Sequence, residues 1–326
     1  MPQRGYNADI ARTGASRGAP GHPGKTGRKQ DGYKKIGRWR QFLLDKVLFT
    51  HYHSVMNTLC WQVTGGSVRG REHGSTGRNN QDAFFWRMAP EALAAVVCDG
   101  CGSAPESEAG ARLGARLAVE SLLRARPEGR DPVAVLEEAR QRILQQLERM
   151  ARAMSADPRE AIHDCFLFTI VGALIAGERA TLFAIGDGIA AVNGETVRIG
   201  PFPDNRPPYI AYGIFPPEGF EDAGAFRFRI LASLPAREVR SLLIGTDGAA
   251  EWDRLEDQTL PGKGERVGPL SQFWSDDCYF SNRDALRRRL AILNREAISL
   301  DRNAGRIVRR PGLLGDDTTL VAIRRS

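Results

Sequence analysis

The chain has 326 residues, of which 42% are hydrophobic and 26% are charged, and its formal net charge at pH 7 is +7. These proportions are ordinary for a globular protein, and no apolar run approaches the roughly 18 to 20 residues that a membrane-spanning helix needs. The charge is uneven: residues 1–57 contain eleven Lys or Arg and three Asp or Glu, a net of +8, whereas residues 58–326 carry −1. Nucleic-acid binding is therefore not expected of the folded part and would depend on the basic segment alone.

The N-terminal segment differs in composition from the rest of the chain. Residues 1–38 are rich in Gly, Arg, Lys and Pro, so residues 1–57 are predicted to form a basic, largely disordered tail. Met56 is an alternative start, because the strand-rich pattern begins directly after it. Residues 58–326 are predicted to form a single domain. With no apolar signal-peptide core and five scattered cysteines, the sequence predicts a cytoplasmic protein without a membrane span.

In chain order, the apolar patterns predict strands, two helices, many strands, one helix and a last strand. The first strands are CWQVTGGSVRG, DAFFWRM and ALAAVVC, and the helices cover residues 105–125 and 132–154. The later predicted elements are the strands CFLFTIVGALI, ATLFAIGD, GIAAVNG, TVRIG, FRFRILA and VRSLLIG, the helix ALRRRLAILNREAI and the strand TTLVAIRR, with a long loop over 201–224. Short turns such as Asn193-Gly194 indicate antiparallel pairing, so the fold class is α+β, an antiparallel two-sheet β-sandwich.

Aspartates recur in the turns that border the apolar strands. Asp99 follows AAVVC, Asp187 follows LFAIG, Asp247 follows LLIGT, Asp316 precedes the last strand, and Asp82 opens DAFFWRM. A single Asp-Gly turn is ordinarily a connection between a strand and a helix. Five acidic turns in one chain are instead typical of a site for two or more divalent metals, which suits hydrolysis of a phosphoester.

The segments NQDAFF, VVCDGCGSA, AIGDGIAAV, LIGTDGAAE and GDDTTLVAI, in this order, resemble the motif series of the metal-dependent type 2C protein phosphatases. The resemblance covers about residues 64–324 and is strongest to a divergent bacterial branch with the patterns G-x-x-H, N-Q-D-A and D-G-x-G-S-A. It implies two packed antiparallel sheets flanked by helices in the order α-β-β-α. It also implies two, or with a looser site three, Mg²⁺ or Mn²⁺ ions.

The resemblance implies a role for each matching residue. Asp99 would bridge two metals, and the carbonyl of Gly100 would bind one of them. Asp247 and Asp316 would hold the other metal. Asp82 would contact a metal directly or through water.

Three further positions are assigned from the same resemblance. Asp187 would help to bind the third metal, Arg78 is the candidate for the phosphate contact, and His73 is a candidate for the proton donor. A metal-bound water is the alternative donor. The chain departs from many family members at Gln81, where they have glutamate, and at Cys101, where animal members have histidine.

The main hypothesis is a Mg²⁺- or Mn²⁺-dependent phosphatase that acts on phosphoserine and phosphothreonine in protein substrates and is paired with a serine/threonine kinase. An alternative is a catalytically weak or inactive relative that binds phosphoproteins as a regulator, which Gln81 and Cys101 motivate. A third hypothesis makes the basic tail primary and the protein nucleic-acid-associated.

Overall fold

The computed structural model describes residues 60–217, 223–302 and 305–326. All of these residues belong to one compact unit within Tyr52–Ser326. The predicted basic tail over 1–57 and the alternative start at Met56 lie outside the described residues, so the predicted domain boundary stays a prediction.

Twelve strands are found among the described residues. They are β1 (Trp61–Val68), β2 (Asp82–Ala89), β3 (Ala92–Asp99), β4 (Ile170–Ala176), β5 (Arg179–Ile185), β6 (Gly188–Val192), β7 (Glu195–Ile199), β8 (Arg229–Pro235), β9 (Ser241–Gly245), β10 (Ala297–Asp301), β11 (Arg306–Arg310) and β12 (Thr318–Arg325). The first sheet has the order β1-β12-β9-β6-β7, and the second has the order β2-β3-β4-β5-β8. Strands β10 and β11 form a separate two-stranded sheet.

Every strand pair in the described part of the chain is antiparallel, as predicted. The turn between β6 and β7 shows why local sequence was a good guide here. Asn193 and Gly194 both have positive φ, 53° and 97°, the backbone that a tight hairpin turn requires. Asn and Gly tolerate this conformation better than other residues, so the dipeptide fixes the hairpin.

The described helices are mostly short, apart from two long ones. They are α1 (Arg71–Thr76), α2 (Ser107–Arg124), α3 (Pro132–Met154), α4 (Pro158–Cys165), α5 (Asp247–Ala250), α6 (Gln272–Ser275), α7 (Cys278–Ser281) and α8 (Ala285–Leu293). Helix α3 begins where the sequence predicts, because Pro132 occupies its first turn and the Asp131 side chain accepts a hydrogen bond from the Ala134 amide at 3.3 Å.

Three apolar clusters hold the layers together. The first lies between the second sheet and the helices α2 and α3, where Val96 and Phe183 meet Ala115 and Ile143. The second lies between the two sheets. The third packs the outer face of the first sheet against Trp252, Phe273 and the helix α8. The predicted α+β, α-β-β-α sandwich is thereby confirmed.

The sequence pattern was wrong at two places along the chain. The helix predicted from ALRRRLAILNREAI ends at Leu293, and β10 begins at Ala297. The chain leaves the helix here because two distant segments hold its end. The side-chain amide of Asn294 donates to the Arg69 carbonyl at 2.5 Å, and the backbone amide of Leu313 donates to the Leu293 carbonyl at 2.9 Å. The second difference is at CFLFTIVGALI, whose first residue ends helix α4 and whose strand begins only at Ile170.

Candidate metal centre

The predicted aspartates lie at the ends of strands from both sheets. Asp99 is the last residue of β3, and the strand register places it directly opposite Asp82, the first residue of β2. Asp187 lies in the two-residue connection from β5 to β6, where the chain crosses from the second sheet to the first. Asp247 opens α5 directly after β9, and Asp316 stands just before β12. One end of the sandwich therefore collects acidic residues that are far apart in sequence.

These ends enclose a cavity of about 110 Å³. Six of the eight predicted site residues line it, namely His73, Asp99, Gly100, Asp187, Asp247 and Asp316. Asp82 and Arg78 do not line it. Asp82 lies behind the cavity wall, 4% exposed, and its carboxylate accepts a hydrogen bond from the Thr246 hydroxyl at 2.7 Å.

Larger cavities exist elsewhere on the molecule. One of about 670 Å³ is lined by Arg130, Leu174 and Arg179, among others, and one of about 390 Å³ lies between helices α2 and α3. Neither contains any of the predicted aspartates. Cavity volume therefore does not locate the site, whereas the convergence of carboxylates does.

The electrostatics of the cluster favour a cation. Burial raises the pKa of Asp99 well above its ordinary value, and the charges of Asp247, Asp82, Asp316 and Asp187 raise it further. Burial, followed by Asp316 and Asp187, raises the pKa of Asp247 to about 6. Such values mean that the carboxylates are poorly solvated and repel one another when all are ionised.

Burial also raises the pKa values of the remaining carboxyl groups of the cluster. Burial is the main cause that raises the pKa of Asp82 and of Asp187. Burial also raises the pKa of Asp316, but its side chain is 57% exposed, so solvent screens its charge more than it screens the others.

Two buried oxygens indicate that the donor set fits a hard cation. Within the described residues, Asp82 Oδ1 and Gln81 Oε1 are buried and have no hydrogen-bond partner. A buried oxygen without a hydrogen-bond partner destabilises the fold unless it binds a cation or a water. With several carboxylates and a glycine carbonyl at the same place, the residues present match the oxygen ligands that Mg²⁺ and Mn²⁺ prefer.

Gly100 is required by close approach. A Cβ atom at this position would lie 2.9 Å from the Gln81 carbonyl oxygen and 2.9 Å from Ser107 Cβ. The Gly100 amide donates to that same carbonyl at 3.2 Å. The turn after Asp99 can therefore pack against β2 only without a side chain, which leaves its backbone beside the cavity.

His73 is held at the cavity wall by Asp317. Its Nδ1 lies 2.9 Å from Asp317 Oδ2, an ion-pair distance, although the relative orientation does not meet hydrogen-bond geometry. The His73 side chain is 16% exposed. The ring thus lies against a buried carboxylate while still reaching the cavity.

Asp317 has a structural role that the sequence reasoning missed. It is 2% exposed and accepts hydrogen bonds from the Gly70 amide at 2.6 Å and from the Gln81 amide at 2.5 Å. It therefore ties the G-x-x-H segment and the N-Q-D segment to the start of β12. The doublet Asp316-Asp317 was the available signal, since a buried acid next to a predicted metal ligand needs hydrogen-bond partners of its own.

The two departures from the family pattern also face the cavity. The side-chain amide nitrogen of Gln81, Nε2, donates to the Ser107 hydroxyl at 2.7 Å, and Gln81 is among the residues that line the cavity. Burial raises the pKa of the Cys101 thiol, but hydrogen bonds with Ser103 and Tyr209 outweigh burial, so its pKa is lowered overall.

Arg78 lies beside the cavity rather than in its wall. Its guanidinium donates to the carbonyl of Gly102, which does line the cavity. The Arg69 guanidinium in turn donates to the Arg78 carbonyl at 3.2 Å. The predicted phosphate contact therefore lies next to a residue of the cavity lining.

Residues 201–217, the first described part of the segment predicted as a loop, supply wall residues that the sequence did not single out. Asn205, Pro207 and Tyr209 line the cavity, and Tyr209 is only 9% exposed. Burial raises the pKa of Tyr209, so its hydroxyl stays protonated and can donate a hydrogen bond. Only the Pro- and Gly-rich composition of the segment hinted at a functional loop.

The amino-acid sequence also matches the profile of a known family. Residues 69–292 match the profile described as Protein phosphatase 2C. The chain belongs to the protein phosphatase 2C family. This span contains all the predicted site residues except Asp316, which follows it.

The chain also aligns with several solved structures at low identity. A bacterial serine phosphatase is 15% identical, with a TM-score of 0.44, over 81% of this chain and 97% of that chain. The Mycobacterium tuberculosis serine/threonine phosphatase PstP/Ppp is 17% identical, with a TM-score of 0.43, over 82% and 99%. PppA of Pseudomonas aeruginosa, described as a key regulatory component of T6SS, is 18% identical, with a TM-score of 0.43, over 82% and 98%. No curated protein matches this sequence.

Proposed function

We propose that this protein hydrolyses phosphoserine and phosphothreonine in protein substrates, with Mg²⁺ or Mn²⁺ as its cofactor. The observation that carries the proposal is the convergence of Asp99, Asp187, Asp247 and Asp316 on one cavity, in a chain of the protein phosphatase 2C family. Carboxylates so close together are expected to bind divalent cations.

The ligands would come from both sheets. Asp99 and the Gly100 carbonyl would hold one ion, and Asp99, Asp247 and Asp316 would hold a second. Asp187 would support a looser third ion. Bound ions would polarise the phosphoryl oxygens and lower the pKa of a coordinated water, so that hydroxide is available near neutral pH.

The other side chains would bind and orient the substrate. Arg78 would release the Gly102 carbonyl and grip the phosphate through two parallel N–H donors. His73 would donate a proton from Nε2 to the leaving serine or threonine oxygen, because its other ring nitrogen, Nδ1, lies 2.9 Å from Asp317 Oδ2. Tyr209 would help to exclude water from the opening.

Its partners and location follow from the same proposal. The protein would act in the cytoplasm on phosphoproteins made by a partner serine/threonine kinase. Its five cysteines, all within the described residues, form no disulfide there, which supports a reducing compartment. No helix in the described ranges is long and apolar enough to cross a membrane. Nucleic-acid binding would be limited to the basic residues 1–57, which are outside the described structure.

The test is turnover of an aryl phosphate and of phosphoserine, phosphothreonine and phosphotyrosine peptides, with Mn²⁺ and with a chelator. We expect turnover of the aryl phosphate and of the first two peptides only when Mn²⁺ is present. Asp99→Asn should lower kcat by about a hundredfold or more. The exposed Asp276→Asn is the matched control and should keep kcat. Binding of phosphopeptide without turnover would favour the regulatory alternative that Gln81 and Cys101 suggest.

A further inference from the structure

The hairpin of β10 and β11 presents a mainly apolar face to solvent. Ile298, Leu300 and Ile307 are 59%, 62% and 65% exposed. The register pairs Leu300 with Ile307 and Ile298 with Arg309. Directly paired residues lie on the same side of a sheet, as do residues two apart in one strand, so these four side chains form one surface, here named the ribbon face.

A separate two-stranded sheet with large aliphatic side chains exposed to solvent is unusual in a folded protein. Strands β10 and β11 pair with neither five-stranded sheet. An isolated hairpin is only marginally stable in water, and large aliphatic side chains grouped on a surface mark an interaction site. The ribbon also lies beyond residue 292, where the match to the family profile ends, so it is not explained by that match.

The charge around the ribbon indicates what covers it. Residues 295–310 carry five arginines and two carboxylates, namely Arg295, Arg302, Arg306, Arg309 and Arg310 against Glu296 and Asp301. The Arg309–Glu296 pair, at 3.2 Å, is exposed and holds Arg309 only weakly. By the register, Arg309 lies on the ribbon face, whereas Arg306 and Arg310 lie on the opposite side of the hairpin. The positive charge near the apolar residues therefore comes from Arg309 and from Arg295 and Arg302, which flank the strands in the chain. Positive charge beside apolar residues suits an acidic protein surface. The chain's own residues 1–57 carry +8, and a second copy would bring the same arginines, so both are disfavoured by like charge.

Both ends of the ribbon are tied to the metal centre. The side-chain amide of Asn294, before β10, donates to the Arg69 carbonyl at 2.5 Å, and the Arg71 guanidinium donates to the Gly312 carbonyl after β11 at 3.0 Å. Between these arginines, Gly70 packs so closely on the metal-site loop that a Cβ there would lie 2.6 Å from Asp316 Cα. The ribbon is therefore continuous with the segment that forms the cavity wall.

We propose that the ribbon face is a docking surface for acidic phosphoprotein substrates. This inference rests on the proposed phosphatase function and adds the class of substrate. Each five-residue strand spans about 17 Å, so a bound substrate must extend roughly five residues or more from its phosphoserine to reach the tip. Docking outside the cavity lowers KM for a long substrate and leaves kcat unchanged, and a very short peptide gains nothing from it.

The experiment compares four substrates in Mn²⁺: phosphorylated casein, which is acidic, phosphorylated histone, which is basic, a five-residue phosphoserine peptide and an aryl phosphate. Leu300→Ser with Ile307→Ser removes the apolar contact, and Arg302→Glu with Arg309→Glu reverses the charge at and beside the ribbon face. We expect kcat/KM for phosphocasein to fall roughly tenfold in each variant, through KM. The short peptide and the aryl phosphate should stay within about twofold, and the charge reversal should improve phosphohistone relative to phosphocasein.

Matched controls lie elsewhere on the surface. Val133→Ser removes an aliphatic side chain that is 61% exposed on α3, and Arg237→Glu reverses an arginine that is 75% exposed. Both should keep phosphocasein kinetics. Unchanged phosphocasein kinetics in both ribbon variants would overturn the inference, and so would an equal loss on the aryl phosphate.

Two other outcomes distinguish failure of the docking inference from failure of the proposed function. If the ribbon variants lose binding to phosphatidylserine vesicles but keep phosphocasein kinetics, the ribbon is a membrane-binding element and the inference is wrong. If wild type turns over no aryl phosphate in Mn²⁺, the proposed function fails instead. The docking inference is then decided by calorimetric titration of phosphocasein into wild type and the two ribbon variants.

Discussion

Replacing one cluster carboxylate by its neutral amide should have opposite effects on stability with and without metal. Asp247→Asn removes a charge whose pKa is raised from 3.8 to about 6 by burial and by the charges of Asp316 and Asp187. A difference of about two pH units corresponds to about 3 kcal/mol of unfavourable free energy when the group is ionised. That is an upper value, because the new amide must itself be hydrogen-bonded.

The magnitude translates into a measurable shift in melting temperature. At roughly 2 °C per kcal/mol for a chain of this size, chelator-treated Asp247→Asn should melt up to about 6 °C above chelator-treated wild type at pH 7.5. Mn²⁺ should raise the melting temperature of wild type, since it binds only the folded state, and should raise that of the variant much less. Turnover should fall about a hundredfold or more, because Asp247 is one of the proposed metal ligands.

The assay is thermal unfolding followed by fluorescence, with and without Mn²⁺, together with turnover of an aryl phosphate. Asp276→Asn is the control, since Asp276 is exposed and lies outside the cavity. A variant that melts below wild type in chelator while keeping the full Mn²⁺ shift would refute the reasoning, because Asp247 would then neither repel its neighbours nor bind metal.

Three other predictions follow from the same structure. The first concerns pH. A carboxyl group whose pKa is higher in the folded state than in the unfolded state stabilises the fold at pH values below its unfolded-state pKa. For Asp247 this stabilisation is lost as the pH rises through the folded-state pKa of about 6. Chelated wild type should therefore be more stable at pH 5.5 than at pH 7.5, by about 1 kcal/mol from Asp247 alone in urea titrations, and equal stability would contradict the cluster repulsion. Asp317→Ala should lower the free energy of unfolding by about 2–5 kcal/mol, because it leaves the buried Gly70 and Gln81 amides without an acceptor, and a loss under about 1 kcal/mol would argue against this role. Deleting residues 1–38 should leave kcat unchanged on an aryl phosphate, and lost turnover would show that the tail takes part in catalysis.

The sequence predicted the fold class because the relevant signals are local. The apolar runs of the strands, the Asn193-Gly194 turn and the Asp131-Pro132 helix start depend on residues close in the chain, and each appears in the structure. The motif order also predicted which aspartates to examine. Asp99, Asp187, Asp247 and Asp316 do line one cavity, while their roles as metal ligands stay a proposal.

Local pattern failed where distant contacts decide the outcome. Residues 294–298 continue a helical pattern, but Asn294 is fixed by Arg69, more than two hundred positions earlier, and the chain turns into β10 instead. The sequence alone could not tell that the resulting ribbon leaves Leu300 and Ile307 exposed.

The same distinction applies at the metal centre. The sequence determined that carboxylates stand at strand ends, because each strand and its turn are encoded side by side. Only the tertiary structure decided that Asp317 is buried between the Gly70 and Gln81 amides, and that Tyr209 comes from a distant loop to wall the cavity. These placements depend on how two sheets and a loop pack together, and burial and hydrogen bonding between distant segments leave no periodic trace in the sequence.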